Sequence, residues 1–187
     1  MSPSYRQFEH TLAWHCAPSL AGLKPADLLA WDPPEREWPG LLGHYVSALG
    51  GQGVRLRVLG RHRGRLMLLV YRPQVLSSWL ERPAVAEMLS RLGYPAGEGL
   101  QALLRHLSRR LERGPFPHEI GLFLGYPPGD VAGFLRDGGR GCKLCGPWKV
   151  YGDVEQARRR FLAFRRCRAD LSLRLAQGMP LCQAMGA

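Results

Sequence analysis

Two cysteines three residues apart, Cys142 and Cys145, lie in the run Gly138-Gly139-Arg140-Gly141-Cys142-Lys143-Leu144-Cys145-Gly146-Pro147-Trp148. Thiols at this spacing can face one metal ion as thiolates or join as a small redox disulfide. Arg140 and Lys143 beside them favour the thiolate, the form that ligates and attacks. The glycines let backbone N–H groups approach a cluster, an anion or a substrate closely. A tetrahedral zinc or iron centre needs four ligands, and the chain has no second Cys-x-x-Cys. The other ligands would have to come from Cys16, Cys167, His15 or His118, brought in by folding. A thioredoxin-like use needs the pair to open a helix beside a parallel sheet unit. Here Gly-Pro-Trp and an apolar run at 147–151 follow instead, which argues against it. The competing reading makes the thiols structural or incidental, with Cys167 a small hydrophobe on the last helix and Cys182 in an exposed tail.

A second chemistry is anion binding. The formal charge is +11, and it is uneven. Residues 1–50 hold 3 basic and 5 acidic groups, residues 51–115 hold 12 and 4, and residues 116–187 hold 11 and 6. Nearly all the cations are arginine, whose planar fork grips phosphate or carboxylate at two points. Arg158, Arg159, Arg165 and Arg166 flank an apolar stripe of Ala157, Phe161, Phe164, Leu171 and Leu175. With Arg55 and Arg57 they would make a groove for nucleic acid or a phosphate ligand. The alternative is a solvated arginine face that binds nothing in particular.

Residues 116–136 read as a helix-turn-helix, with Ile120, Leu124, Val131 and Phe134 as shared core and Gly121 facing the partner helix. The outward positions of the second helix would be Pro128, Gly129, Asp130, Ala132, Gly133 and Arg136. Only Arg136 is a natural reader of bases or phosphates, and Asp130 would repel phosphate, so base reading by this pair is not expected. His118 and Glu119 fall in the first turn of the pair. His118 would be pushed toward its neutral form, fit for ligation or proton transfer, or else simply pack, with Glu119 complementing the helix dipole.

The elements that must position these residues follow from pattern. Residues 54–59 alternate apolar and basic, residues 65–71 are apolar almost throughout, and Gly60-Arg61-His62-Arg63-Gly64 joins them, which predicts a β-hairpin with its second strand central. A first helix spans 5–15 and ends at Cys16-Ala17-Pro18. Residues 20–39, rich in Pro and Trp, read as turns and loop. Helices follow at 41–49, 73–81, 83–92 and 99–112, then two short ones within 118–136. Residues 147–151 are a candidate third strand. Asp153 caps a last helix that runs to Gln177. The sum is α+β: many helices on a small antiparallel sheet, in one domain over 1–178 with a C-terminal tail at 179–187.

Length and composition limit the class. The 187 residues are 45% hydrophobic and 22% charged, which suits one folded domain. No apolar run approaches the roughly 20 residues of a membrane span, and the opening residues do not read as a signal peptide. Five cysteines, an odd number, argue against a disulfide framework and for a reducing cytoplasm. No Gly-x-Ser-x-Gly, His-Glu-x-x-His or P-loop marks an ordinary hydrolase.

Residues 16–24 (Cys-Ala-Pro-Ser-Leu-Ala-Gly-Leu-Lys), the hairpin end Val70-Tyr71-Arg72-Pro73, residues 117–127 (Pro-His-Glu-Ile-Gly-Leu-Phe-Leu-Gly-Tyr-Pro) and Trp148-Lys149-Val150-Tyr151-Gly152-Asp153 together resemble the bacterial domain of unknown function family 3793. The resemblance spans nearly the whole chain. It implies a cytosolic single-domain protein, largely of anaerobes, with a weak link to iron or redox metabolism. It carries no catalytic role to any residue. The expected function is thus a Cys-centred site handling zinc, iron or iron–sulfur, or a redox or iron-handling protein partner. A nucleic-acid or phosphate-binding module and an interaction domain without catalysis are the alternatives.

Overall fold

A strand that is apolar on both sides must be covered on both sides, and that demand organises the chain. The computed structural model describes residues 3–33 and 37–186. The chain opens with α1 (Pro3–Leu20), β1 (Ala26–Trp31), α2 (Trp38–Gly50), β2 (Arg55–His62) and β3 (Arg65–Tyr71). Then come α3 (Pro73–Leu80), α4 (Pro83–Arg91), α5 (Leu100–Arg113), α6 (Ile120–Phe123) and α7 (Pro128–Asp137). It ends with β4 (Leu144–Cys145), β5 (Lys149–Val150), α8 (Val154–Ala176) and α9 (Leu181–Ala184). The architecture is α+β, as the pattern predicts.

The main sheet is antiparallel in the order β1-β3-β2, so the apolar strand β3 is central. Leu66, Leu68 and Val70 face one core with Phe8, Leu12, Tyr45, Leu49 and Leu171. Met67, Leu69 and Tyr71 face the other with Leu76, Leu89, Leu104, Leu107 and Phe123. Each fully buried Leu contributes about 2 kcal/mol of hydrophobic stabilisation. A third, small cluster of Trp148, Val150, Ala157 and Phe164 holds the β4–β5 ribbon against α8.

Three expectations are corrected. The third strand of the main sheet is β1, inside the stretch read as loop; the part of that loop at 34–36 lies outside the described residues. Its strand signal is hidden because Asp27 interrupts a six-residue edge between Pro25 and Pro33. Residues 149–150 do form a strand, but they pair with β4 in a separate ribbon. The first helix runs on through Pro18 to Leu20. Pro18 forfeits only the bond to the carbonyl of Trp14, and the next N–H, that of Ser19, donates to Asp27 Oδ2 at 3.0 Å.

The segment after Gly178 also differs from an exposed tail. Leu181 is fully buried and Ala184 nearly so. The Leu181 N–H donates to Glu9 Oε1 at 3.2 Å, and Gln52 Nε2 donates to the Cys182 carbonyl at 2.6 Å.

Candidate functional site: a thiol hairpin beside an aromatic cleft

Helix α7 ends at Gly138, whose left-handed backbone (φ +60°) turns the chain into the glycine-rich segment. The segment folds back as the β4–β5 ribbon, with Cys145 opposite Lys149 and Leu144 opposite Val150. One buried carboxylate pins the ribbon to α7. Asp130, 3% exposed, accepts from the Tyr151 and Gly152 N–H groups at 2.8 Å on Oδ1 and from the Trp148 indole N–H at 2.7 Å on Oδ2. Asp130 is therefore not an outward position of a reading helix. Gly133 is not outward either, since a Cβ there would stand 2.5 Å from the Tyr151 ring. Both lie on the edge of α7 that the ribbon covers, whereas Gly129, Ala132 and Arg136 are exposed and Val131 joins Ile120 and Leu124 in the core, as the pattern predicts. Gly121 does face its partner, with Tyr126 and Val131 each 3.0 Å from where a Cβ would be.

The pairing brings a lysine onto a thiol. Lys149 Nζ lies 2.9 Å from Cys145 Sγ, and Cys142 Sγ lies 3.5 Å from Cys145 Sγ. The hydrogen bond from Lys149, then that from Cys142, pulls the Cys145 thiol below its ordinary value. The hydrogen bond to Cys145 pushes the Cys142 thiol up. Lys149 in turn is held more firmly protonated by Cys145. The pair is thus unequal: of the two thiols, Cys145 is the one that gives up its proton more readily. The cations expected to favour the thiolate do other work, since Lys143 donates to the Gly152 carbonyl and Arg140 to the Asp137 carbonyl, both at 3.3 Å. Lys149 was legible only through the hairpin, as the residue four beyond Cys145 across a Gly-Pro turn.

The other proposed ligands do not join them. Cys16 is completely buried in the main core, and burial drives its thiol well above the ordinary range. Cys167 and Cys182 are half-buried, and burial raises both. His118 packs between Phe116 and Phe134, at ring distances of 5.4 and 4.9 Å. His15 lines a separate cavity. Among the described residues no three His, Cys, Asp or Glu side chains stand together as metal ligands. The donor set at the hairpin is two thiols, which by themselves do not make a closed four-ligand zinc or iron site.

Beside the hairpin opens a cleft of about 330 Å³, walled by Phe116, His118, Tyr126, Phe134 and Trp148 with Lys149 at its rim. Trp148 stacks on Tyr126 at 4.9 Å and meets Phe161 edge-on at 4.5 Å. The guanidinium of Arg160 lies 4.9 Å over the Trp148 ring and donates to the Gly125 carbonyl at 2.8 Å, so this arginine supports the wall. Glu119, read as a first-turn dipole partner, is buried instead: it accepts from Tyr94 Oη at 3.0 Å and pairs with Arg110 at 2.5 Å, tying α5 to the segment entering α6.

The arginines divide. Arg158, Arg159, Arg165 and Arg166 lie on one exposed arc of α8. Arg55 turns onto the Gly50 carbonyl at 2.9 Å, and Arg57 donates to Gln101 at 2.9 Å. Arg55 thus bonds the backbone at the end of α2, and Arg57 reaches α5 through one nitrogen while its Nε is buried with no hydrogen-bond partner among the described residues. Among the described residues no helix is long and apolar enough to cross a membrane.

The architecture and the site define an α+β protein with a small sheet covered on both faces, a lysine-paired dithiol and an adjoining aromatic cleft. The chain belongs to the family described as "Protein of unknown function (DUF3793)", which it matches over residues 12–185. No curated protein and no solved structure matches it.

Proposed function

We propose that the protein is a dithiol redox protein that exchanges electrons with a disulfide-bearing partner through Cys142 and Cys145. The observation that supports this reading is the 2.9 Å contact of Lys149 Nζ with Cys145 Sγ, beside a second thiol at 3.5 Å. The thiolate of Cys145 attacks one sulfur of the partner disulfide, the S–S bond breaks, and the leaving sulfur takes a proton. Cys142 then loses its proton and attacks the Cys145 sulfur of the mixed disulfide. This forms the Cys142–Cys145 bond and releases the second partner thiol. The partner is reduced by two electrons and the dithiol is oxidised by two; the reverse sequence restores it. Lys149 stabilises the attacking thiolate and, later, the thiolate released when the ribbon is reduced.

The test is a titration of anaerobically purified protein in glutathione buffers of graded potential, with mass spectrometry of the hairpin peptide and elemental analysis of the same sample. A single two-electron transition, lost in Cys142→Ser and in Cys145→Ser, is the expected result. Thiols that stay reduced in oxidised glutathione would overturn the reading. Zinc or iron near one per chain, lost in Cys142→Ser, would replace it with a metal site completed by ligands from another molecule.

A further inference from the structure

Behind the aromatic cleft lies a second cavity, of about 420 Å³, lined by His15, Lys24, Asp27 and Arg168. The two share the walls Leu28, Leu124, Tyr126 and Pro147. They differ in character. The cleft is aromatic, whereas the second cavity is charged and its groups come from four separate parts of the chain: α1, the turn before β1, β1 itself and α8.

Its charges do not cancel. Lys24, 4% exposed, donates to Asp27 Oδ1 at 2.8 Å, while Asp27 Oδ2 is taken by the Ser19 N–H. That pair is neutral. Arg168 adds a cation for which no ion pair is found among the described residues, and its Nε is buried without a hydrogen-bond partner. Buried donors almost always have one, so a guanidinium that lines a cavity and finds no partner among the described residues is a group an anionic ligand would pair with. His15 is held toward neutrality by burial and by Arg168, so the excess charge rests on the arginine.

We propose that the two cavities form one binding site for a small amphipathic acid, with a flat apolar body between Phe134 and Trp148 and a single carboxylate or phosphate at Arg168 and Lys24. Volumes of this order are those of small-molecule sites, which are mostly apolar with a few fixed polar groups. The Tyr126 ring borders both cavities, and Lys24 Nζ lies 5.2 Å above it, so the cation sits where the aromatic wall ends. This site does not depend on the dithiol reading.

The test is calorimetric titration with three probes of one shape: naphthoate, naphthyl phosphate and neutral naphthol. Both acids are expected to bind about tenfold or more tightly than naphthol, a difference of roughly 1.4 kcal/mol or more. Arg168→Gln is expected to remove that advantage while leaving naphthol affinity unchanged, and Phe134→Ala to weaken all three. Arg165→Gln, on the exposed arc, should change none. The stronger of the two acids identifies carboxylate or phosphate as the natural group. Naphthol binding as tightly as the acids would overturn the proposal. So would no binding of any probe, or acid binding weakened as much by Arg165→Gln as by Arg168→Gln. Cys145→Ser is expected to leave all three affinities in place, which separates this outcome from that of the redox titration.

Discussion

Replacing Asp130 by Ala removes the acceptor of three donors at once. Leaving one buried donor unpaired costs about 1–3 kcal/mol. The indole N–H of Trp148, a residue only 6% exposed, falls in the upper part of that range. The amides of Tyr151 and Gly152 are part-buried, and water entering the vacated space recovers some of their loss, so they fall in the lower part. The sum is about 3–5 kcal/mol, a large share of the roughly 5–15 kcal/mol that holds a domain together. Because the three donors all belong to the ribbon, the loss should appear there first. Amide hydrogen exchange at Lys143, which bonds the Val150 carbonyl, and at Gly146, which bonds the Trp148 carbonyl, should accelerate more than exchange in β3. Urea unfolding should show a lowered midpoint. Asp130→Asn should fall between, since its carbonyl can still accept from the two amides while its NH₂ opposes the indole. An Asp130→Ala protein within about 1 kcal/mol of the parent, with ribbon amides still protected, would refute the reasoning.

Lys149→Met should let the Cys145 thiol rise toward its ordinary value. Measured in a Cys142→Ser background, the pH–rate profile of iodoacetamide alkylation should then shift to higher pH, with slower reaction at neutrality; an unmoved profile would remove Lys149 from the site. Glu119→Ala strands Tyr94 Oη and uncouples Arg110, which is half-exposed and so counts for less; a loss of about 2–3 kcal/mol is expected from urea titration. Leu181→Ala should cost about 2–4 kcal/mol by the same assay, and deletion of 179–187 at least as much. A deletion that leaves the unfolding midpoint in place would make this segment a dispensable tail.

Much of the frame was legible because its signals are local. The alternation at Arg55 and Arg57, the apolar run from Leu66, the prolines that open α3 and α4, and Asp153 as the cap of α8, where its side chain accepts from the Gln156 N–H at 2.9 Å, each act within a few residues. What escaped depends on partners distant in sequence. Asp130 looked solvent-facing because its donors lie about twenty residues on. Pro18 looked like a helix stop because the carboxylate that serves the next N–H sits on β1. The thiol pair was visible from its spacing, yet the lysine that activates it was identifiable only once strand pairing placed Lys149 opposite Cys145. Lys24 and Asp27 are neighbours three residues apart, but Arg168 joins them only where β1 and α8 come together.

The double burial of β3 has a consequence for how the strands find one another. In a strand with one wet face, a slip of one residue drives apolar side chains into water, and that cost sets the alignment. Here a slip would exchange Leu66, Leu68 and Val70 for Met67, Leu69 and Tyr71, one oily set for another. Discrimination must come from the irregular points. Asp27 can reach Lys24 and Ser19 from one side of β1 only. The bulge between Val58 and Gly60 fits only where Gly60 leaves room for Leu111 and Glu112, each within 3.2 Å of the place a Cβ would occupy. The partners of the strand that dominates the sheet are therefore aligned by a buried ion pair and a missing side chain, and not by the greasy run itself.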